Sequence, residues 1–151
     1  YTCVDDIGNV INPMLVDGQI HGGLAQGISQ ALFEEAVYDD SGTLVTGSFV
    51  DYLIPSAADL PSFTTGRTET PALTNALGVK GVGEAGTIAS TPAIVNGVLD
   101  AIRQFGVKDI LMPCTPSRVW KTLQGARSVG RHSLASSPES SGSSPRPTGA
   151  I

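Results

Sequence analysis

The residues best suited to chemistry lie in one glycine-rich run, at positions 78–86, which places Lys80 and Glu84 among four glycines. Glycines leave the backbone N–H groups of such a loop accessible to an anion or an oxo group. They also let a substrate come within hydrogen-bonding distance of a carboxylate. The pattern therefore makes Glu84 a candidate general base. A tight turn that carries a solvated glutamate is the commoner interpretation of the same residues.

A second candidate segment, at positions 17–27, combines several glycines with Gln19 and Gln26 near the start of a predicted helix. Each glycine inside a helix costs roughly 1 kcal/mol relative to alanine, so such residues need a reason. A glutamine beside a glycine face can hydrogen-bond a polar ligand with both the donor and the acceptor of its amide. Close packing against another helix explains the glycines equally well, and the spacing favours neither interpretation.

The glycine-rich run also contains Gly81-x-Gly83-x-x-Gly86, a formal match to the dinucleotide-binding fingerprint. That fingerprint needs a strand before it and an acidic residue at the end of the following strand. Residues 72–80 form a poor strand, and Asp109 precedes the next apolar run instead of following it. A dinucleotide-binding protein is therefore the less favoured alternative.

Hydrophobic periodicity and turn signals predict the elements that must position these segments. In chain order they are a strand at 1–4, a helix from an Asp17 cap to about residue 35, a hairpin at 37–45, a short strand at 63–67, a helix capped by Ser90 or Thr91, a strand at 107–112, and a helix that begins at Thr115-Pro116. Helices and hairpins are mixed without a regular β–α–β repeat, so the predicted fold class is α+β.

Composition and charge exclude several classes of function. The net charge of -5 argues against nucleic acid as a partner, because phosphate binding needs clustered positive charge. The apolar stretches are interrupted before the roughly 20 residues that a membrane span needs. Cys3 and Cys114 lie far apart and outside any Cys-x-x-Cys pair, which favours reduced thiols in a cytoplasmic protein. His21 has no partner at the spacing of a metal site.

The composition changes after Gln124, where Ser, Gly, Pro and Arg replace the large apolar residues. Such a segment cannot bury enough surface to offset the entropy lost on ordering. The sequence therefore predicts one domain over residues 1–124 and a disordered tail over residues 125–151. A natural extension and a frameshifted gene end are both consistent with that tail.

Three segments, taken in order, resemble the molybdenum hydroxylase family, which includes xanthine dehydrogenase, aldehyde oxidoreductase and the large subunit of aerobic carbon monoxide dehydrogenase. They are residues 17–27, the Gly81-Val82-Gly83-Glu84 loop, and residues 112–120. The resemblance covers about residues 1–123 and is greatest to the carbon monoxide dehydrogenase-like large subunits. It implies that the chain is the C-terminal portion of a molybdopterin-binding subunit.

The resemblance also implies roles for individual residues. Glu84 matches the active-site glutamate that acts as a general base beside molybdenum, and Gln26 matches a glutamine that hydrogen-bonds the pterin. Gly83, Lys80 and Gly27 are implied to contact the same cofactor, and no residue of the chain is implied to ligate the metal. Members of the family hydroxylate an aldehyde, a purine or another heterocycle with water-derived oxygen, or oxidise carbon monoxide.

The cofactor implied by the resemblance is molybdenum bound to molybdopterin cytosine dinucleotide. Iron–sulfur clusters are expected on a small partner subunit and FAD on a medium one. The family's large subunit is several times longer than this chain, so the remainder of that subunit is also an expected partner, and the fragment alone is expected to be inactive. A non-catalytic remnant or interaction module that keeps the fold without cofactor is the alternative.

Overall fold

The computed structural model describes residues 1–135, with side chains over residues 1–127. Its elements, in chain order, are β1 (Thr2–Asp6), α1 (Pro13–Leu32), a 3₁₀ turn (Ala57–Asp59), β2 (Thr64–Thr68), α2 (Ala85–Ile102), a second 3₁₀ turn (Arg103–Phe105) and α3 (Pro116–Ala135). Three helices and a two-stranded sheet make up the described part of the chain. This mixture confirms the predicted α+β class.

The sheet pairs β1 with β2 in parallel, in a register that runs from Thr2 opposite Thr64 to Asp6 opposite Thr68. Both strands confirm the short strands predicted from sequence, with boundaries shifted by one or two residues. Parallel neighbours need a crossover of a dozen residues or more. Here the crossover contains α1, so the pairing places that helix beside the sheet.

Helix α1 begins earlier than predicted. Asn12 has an extended backbone, and its side chain accepts a hydrogen bond from the N–H of Leu15 at 3.2 Å. Pro13 follows at the first helical position, where its missing N–H costs nothing. Asp17 therefore lies inside the helix and forms an ion pair with Arg67 of β2 at 2.9 Å. The prediction of Asp17 as the cap was wrong, because the Asn12-Pro13 pair supplies the stronger start signal.

The predicted apolar side of α1 is confirmed, since Ile20, Leu24 and Ile28 are all buried. Two clusters form the core. The first joins residues near β1 to α1 and comprises Ile7, Val16, Ile20 and Leu24. The second joins the end of α2 to the segment before α3 and comprises Ile102, Val107, Ile110 and Cys114.

Helix α2 begins at Ala85, five residues before the predicted cap at Ser90. Ser90 and Thr91 are buried inside the helix, and Pro92 lies in its interior. The prediction was wrong because the first turn of α2 is held by packing against α1, which the local sequence does not reveal. Serine and proline usually mark a helix start, but here they occupy its middle.

The strand predicted at 107–112 is absent, since the described residues contain no strand after β2. Val107 and Ile110 are buried between helices, and the N–H of Cys114 bonds to the carbonyl of Ala31 at 2.6 Å. A short apolar run packed on helices has the same composition as a buried strand, which explains the error.

Helix α3 begins at Pro116, and the hydroxyl of Thr115 accepts a hydrogen bond from the N–H of Arg118 at 3.3 Å, which confirms the predicted cap. The helix continues to Ala135, so it crosses the predicted domain boundary at residue 124. Ala126 packs against the second cluster and extends the apolar side of the helix. Of the predicted tail over residues 125–151, residues 136–151 lie outside the described residues.

Two smaller expectations concern the surface. The hairpin at 37–45 is confirmed as a tight turn, in which Tyr38 and Leu44 form an antiparallel bridge. Gly42 adopts a φ of 83°, the left-handed conformation that such turns require. Among the described residues, no helix combines the length and the apolar character needed to cross a membrane.

The corrected start of α1 makes a testable prediction. Asn12→Ala should destabilise the chain by about 1 kcal/mol, because it leaves the N–H of Leu15 without its capping partner. The free energy of unfolding, measured by urea titration, checks this value. Asp17→Ala is the control and should cost less, because its ion pair with Arg67 is exposed to solvent. A larger loss of unfolding free energy for Asp17→Ala than for Asn12→Ala would contradict Asn12 as the cap of the helix.

Candidate functional site

The glycine-rich loop is attached at its start to the end of β1. Gly8 and Val79 form an antiparallel bridge, and the N–H of Lys80 bonds to the carbonyl of Ile7 at 3.0 Å. Gly8 and Gly78 both have a φ of 64°, and a side chain on Gly8 would overlap the carbonyl of Gly78. Only glycine permits this approach without strain. The segment that leads to Glu84 is therefore held in place before the loop turns towards α2.

Asp6, the last residue of β1, connects three parts of the chain. Its carboxylate accepts hydrogen bonds from the N–H groups of Gly8 at 3.0 Å and Thr70 at 3.1 Å, and it pairs with the ammonium of Lys80 at 3.1 Å. Hydrogen bonds from Thr70, and then from Gly8, hold the pKa of the Asp6 carboxyl well below its usual range. The charge of Lys80 is thus already compensated within the fold, although its side chain remains partly exposed.

Glu84 occupies the N-cap position of α2, where the loop ends. Its carbonyl accepts hydrogen bonds from the N–H groups of Thr87 and Ile88, each at 3.1 Å, but its side chain makes no capping bond. The carboxylate is exposed and has no hydrogen-bond or ion-pair partner among the described residues. Side chains added at Gly81 or Gly83 would meet no atom within 4 Å. The carboxylate is therefore accessible and surrounded by open space.

Gln26 lies on the exposed side of α1 and lines a cavity of about 500 Å³. Thr87, three residues after Glu84, lines the same cavity, so the structure brings Gln26 to the first turn of α2. Glu34 and Tyr52 also line the cavity, and the Tyr52 hydroxyl donates to the Glu34 carboxylate at 2.8 Å. This bond raises the pKa of Tyr52. The cavity is rich in amide, hydroxyl and carboxylate groups that can hydrogen-bond a polar ligand.

Lys80 lines a different, more apolar cavity of about 270 Å³. Gln19 lies in its wall together with Val79 and Val82. Gln19 belongs to the candidate segment at positions 17–27 but was not among the predicted site residues. The available signal was its spacing from Gln26, since seven residues make two helical turns and place both side chains on one side of α1, about 10 Å apart along the axis.

The glycines of α1 divide into two groups. Gly18 and Gly22 are exposed and have open space beside them. Gly23 and Gly27 are buried, and side chains on them would meet the backbone of α2 or the hydroxyl of Ser90. The structure thus gives Gly27 a packing role between helices, and a direct cofactor contact by Gly27 stays a prediction. Close packing between helices therefore explains Gly23 and Gly27 but not Gly18 or Gly22.

Other reactive side chains do not form a second centre. No group of three or more His, Cys, Asp or Glu side chains among the described residues could hold a metal ion. Burial, with a hydrogen bond to Asp5, raises the pKa of the Cys3 thiol to about 11. Burial also raises the pKa of Cys114. Neither thiol is therefore activated as a nucleophile at neutral pH.

Comparisons with known proteins agree on one family. A sequence profile of a molybdopterin cofactor-binding domain matches residues 1–61. The nicotine 6-hydroxylase large subunit of Paenarthrobacter nicotinovorans is 44% identical over 81% of this chain. The carbon monoxide dehydrogenase large chain of Hydrogenophaga pseudoflava is 39% identical over 82% of it.

A solved structure, quinoline 2-oxidoreductase from Pseudomonas putida 86, matches 80% of this chain with a TM-score of 0.77 and 45% identity. In all three cases the match covers 15% of the relative, so this chain spans a small part of the length of the relatives that it matches.

The Asp6 contacts predict how stability depends on pH. A carboxyl whose pKa is lowered by folding stabilises the chain fully above its unfolded value of about 3.9, and loses that contribution as the pH falls through the folded value. Asp6→Asn should therefore lower the melting temperature at pH 7 and flatten its decline below about pH 4. Thermal melts followed by circular dichroism across this range provide the measurement.

Asp40→Asn serves as the control, because Asp40 is exposed and makes no hydrogen bond or ion pair among the described residues. An acid decline in Asp6→Asn as steep as that of the unchanged chain would show that the Asp6 contacts contribute nothing to stability.

Proposed function

Because this chain belongs to the molybdenum hydroxylase family, as part of its molybdopterin-binding subunit, we propose that it contributes Glu84 as the general base of a molybdenum-dependent oxidoreductase. The observation that carries the proposal is the Glu84 carboxylate, which is exposed, unpartnered and next to open space at Gly83. A carboxylate with a structural role would accept a hydrogen bond from another group of the chain. The Glu84 carboxylate accepts none among the described residues, so it is free to accept a proton from a bound molecule.

The chain's own part in the reaction is proton transfer and orientation. The Glu84 carboxylate accepts the proton of the water-derived oxygen nucleophile as that oxygen attacks an electron-poor carbon of the substrate. The bonds of its carbonyl to Thr87 and Ile88 hold the residue at the end of α2 while the proton moves. As the C–O bond forms, the C–H bond at the same carbon breaks. When bound, the molybdenum cofactor supplies the oxidising centre that takes up the two electrons of that bond, and the hydrogen leaves as a proton.

Residues around the loop fit the polar part of such a cofactor. Gln19 and Gln26 present two amides along one side of α1, each with a donor and an acceptor. Lys80 and the backbone at Gly83 lie on the loop between β1 and Glu84. We propose that these groups contact the pterin, and that the cofactor is the molybdopterin cytosine dinucleotide form.

The surface of the chain supports its place in a larger subunit. Phe49, Val50 and Leu73 are exposed by 86%, 93% and 100%, and Ile11 and Met14 are exposed by 70% and 75%. Large apolar side chains in such numbers favour contact with further protein. We propose that the remainder of the large subunit covers them. An iron–sulfur subunit and an FAD subunit would complete an assembly in the cytoplasm, where Cys3 and Cys114 stay reduced.

The substrate class is proposed from the names of two relatives. The nicotine 6-hydroxylase large subunit and quinoline 2-oxidoreductase match this chain at 44% and 45% identity, slightly above the carbon monoxide dehydrogenase large chain at 39%. Nicotine and quinoline both carry a ring nitrogen that makes the neighbouring carbon electron-poor. We therefore propose a heterocycle with a pyridine-type ring as the substrate, ahead of a purine, an aldehyde or carbon monoxide.

The role of Glu84 predicts that Glu84→Gln in the complete enzyme keeps its molybdenum but loses turnover by a factor of about 10²–10⁴, the usual contribution of a general base. Turnover per bound molybdenum, assayed with nicotine, quinoline, xanthine, an aldehyde and carbon monoxide, is the measurement. Glu69→Gln is the matched control, since Glu69 is an exposed carboxylate outside the loop. Normal turnover in Glu84→Gln would exclude the base, and an enzyme without molybdenum would favour the non-catalytic alternative.

The two glutamines make a separate prediction about the cofactor. Gln26→Ala and Gln19→Ala should each lower molybdenum and pterin content while leaving the melting temperature of the cofactor-free protein nearly unchanged, because both side chains are exposed. Metal analysis and pterin fluorescence give the content. Loss confined to Gln19→Ala would place the cofactor at the Lys80 cavity only. Full content in both variants, or a lowered melting temperature alone, would remove the glutamines from cofactor binding.

A further inference from the structure

Helices α1 and α2 are in backbone contact at a point where both carry a glycine. A side-chain carbon added at Gly23 would lie 3.0 Å from Gly86 Cα and 3.0 Å from the Thr87 nitrogen. One added at Gly86 would lie 2.9 Å from the Leu24 nitrogen. No side chain separates the helices here, so the two backbones are in direct contact. A single methyl group on either helix must displace the other.

A second contact lies one turn further along both helices. A side chain on Gly27 would overlap the hydroxyl of Ser90, which is fully buried, and would lie 3.0 Å from the carbonyl of Thr87. Next to it, the hydroxyl of Thr91 lies 3.2 Å from the carbonyl of Gly27, to which it donates. Two successive contacts, one of them with a buried hydrogen bond, restrict both rotation and sliding of α2 on α1.

Glu84 depends on these contacts for its own position. Its carboxylate has no partner among the described residues, whereas its carbonyl is bonded to the first turn of α2 through Thr87 and Ile88. Val82, two residues earlier, packs against the core cluster that contains Ile20 and Leu24 of α1. The residue is therefore held from both sides by groups that rest on α1.

We propose that Gly23 and Gly27 are positioning residues, which set the location of Glu84 by fixing the first turn of α2 against α1. The inference rests on the proposed role of Glu84 as a base. It assigns these glycines a function that differs from that of Gly22, which is exposed and open. A displacement of a few tenths of an ångström at Gly86 passes through two peptide units to Glu84.

The test compares Gly23→Ala with Gly97→Ala in the molybdenum-loaded enzyme. Gly97 is an exposed glycine inside α2, and a side chain on it would meet no atom within 4 Å. Both changes replace a helical glycine by a better helix former, so the contact between α1 and α2 distinguishes them. Gly23→Ala should lower kcat by about fourfold to tenfold with little change in KM, because misplacement of a catalytic group by about 1 Å costs roughly a hundredfold and the shift here is a few tenths of an ångström. Gly97→Ala should keep normal turnover.

A readout independent of turnover is the hydrogen exchange of residues 82–88. In Gly23→Ala the peptide over these residues should exchange faster, because the N–H groups of Thr87 and Ile88 bond to Glu84. The melting temperature and molybdenum content are recorded for each variant. A role in stability alone would change those two quantities and leave kcat per bound molybdenum unaltered.

A rescue and a double-mutant cycle complete the experiment. Gly27→Ala should lower kcat, and adding Ser90→Gly should restore most of it, since the overlapping hydroxyl is removed. In the Glu84→Gln background, Gly23→Ala should have no further effect on kcat, because both changes act through one group.

Two outcomes would overturn the positioning role while leaving Glu84 as the base. In one, Gly23→Ala lowers kcat by the same factor with and without Glu84. In the other, it lowers kcat no more than Gly97→Ala does. Normal turnover of Glu84→Gln alone would reject the base, and the positioning of that base would be rejected with it.

Discussion

The backbone contact between α1 and α2 is the constraint on which most of this structure depends. Because Gly23 meets Gly86 without an intervening side chain, the first turn of α2 packs directly on α1 where the loop ends. The same contact joins the cavity wall around Gln26 to Thr87. The packing of the two helices at the end of the loop thus depends on two glycines that lack a side chain.

Asp6 fixes the other end of the loop by electrostatics and hydrogen bonding. One carboxylate group is shared by the turn at Gly8, the backbone at Thr70 and the ammonium of Lys80. Its position at the end of β1 lets it join segments that are distant in sequence. The loop is thus held by a polar contact at its start and an apolar contact at its end, with open space between them at Gly81 and Gly83.

Local signals in the sequence predicted the parts of the fold that local forces determine. The apolar side of α1 and the Thr115 cap of α3 could be read directly, because they depend on neighbours within one or two turns. The start of α2 could not, since Gly86 is ordered by α1 and not by its neighbours. The segment around Val107 was taken for a strand because burial among helices selects the same side chains.

The candidate site divides in the same way. Glu84 and Lys80 could be proposed as site residues because a glycine-rich run with charged residues is visible in the local sequence. The contrast between Gly22 and Gly23 was not visible, since it depends on which side of α1 meets α2. Gln19 was not predicted as a site residue, because the cavity that it shares with Lys80 is formed by residues far apart in sequence.

The two-turn separation of Gln19 and Gln26 has a consequence for the size of ligand that α1 can select. Amides about 10 Å apart on one helix would act as two linked binding sites if both contact one ligand, as proposed above. A ligand long enough to reach both would gain from effective concentration, because its second contact forms within an existing complex. A shorter molecule, such as one half of a hydrolysed dinucleotide, would reach only one amide at a time. Under the proposed contacts, α1 would therefore bind the intact cofactor more tightly than its fragments.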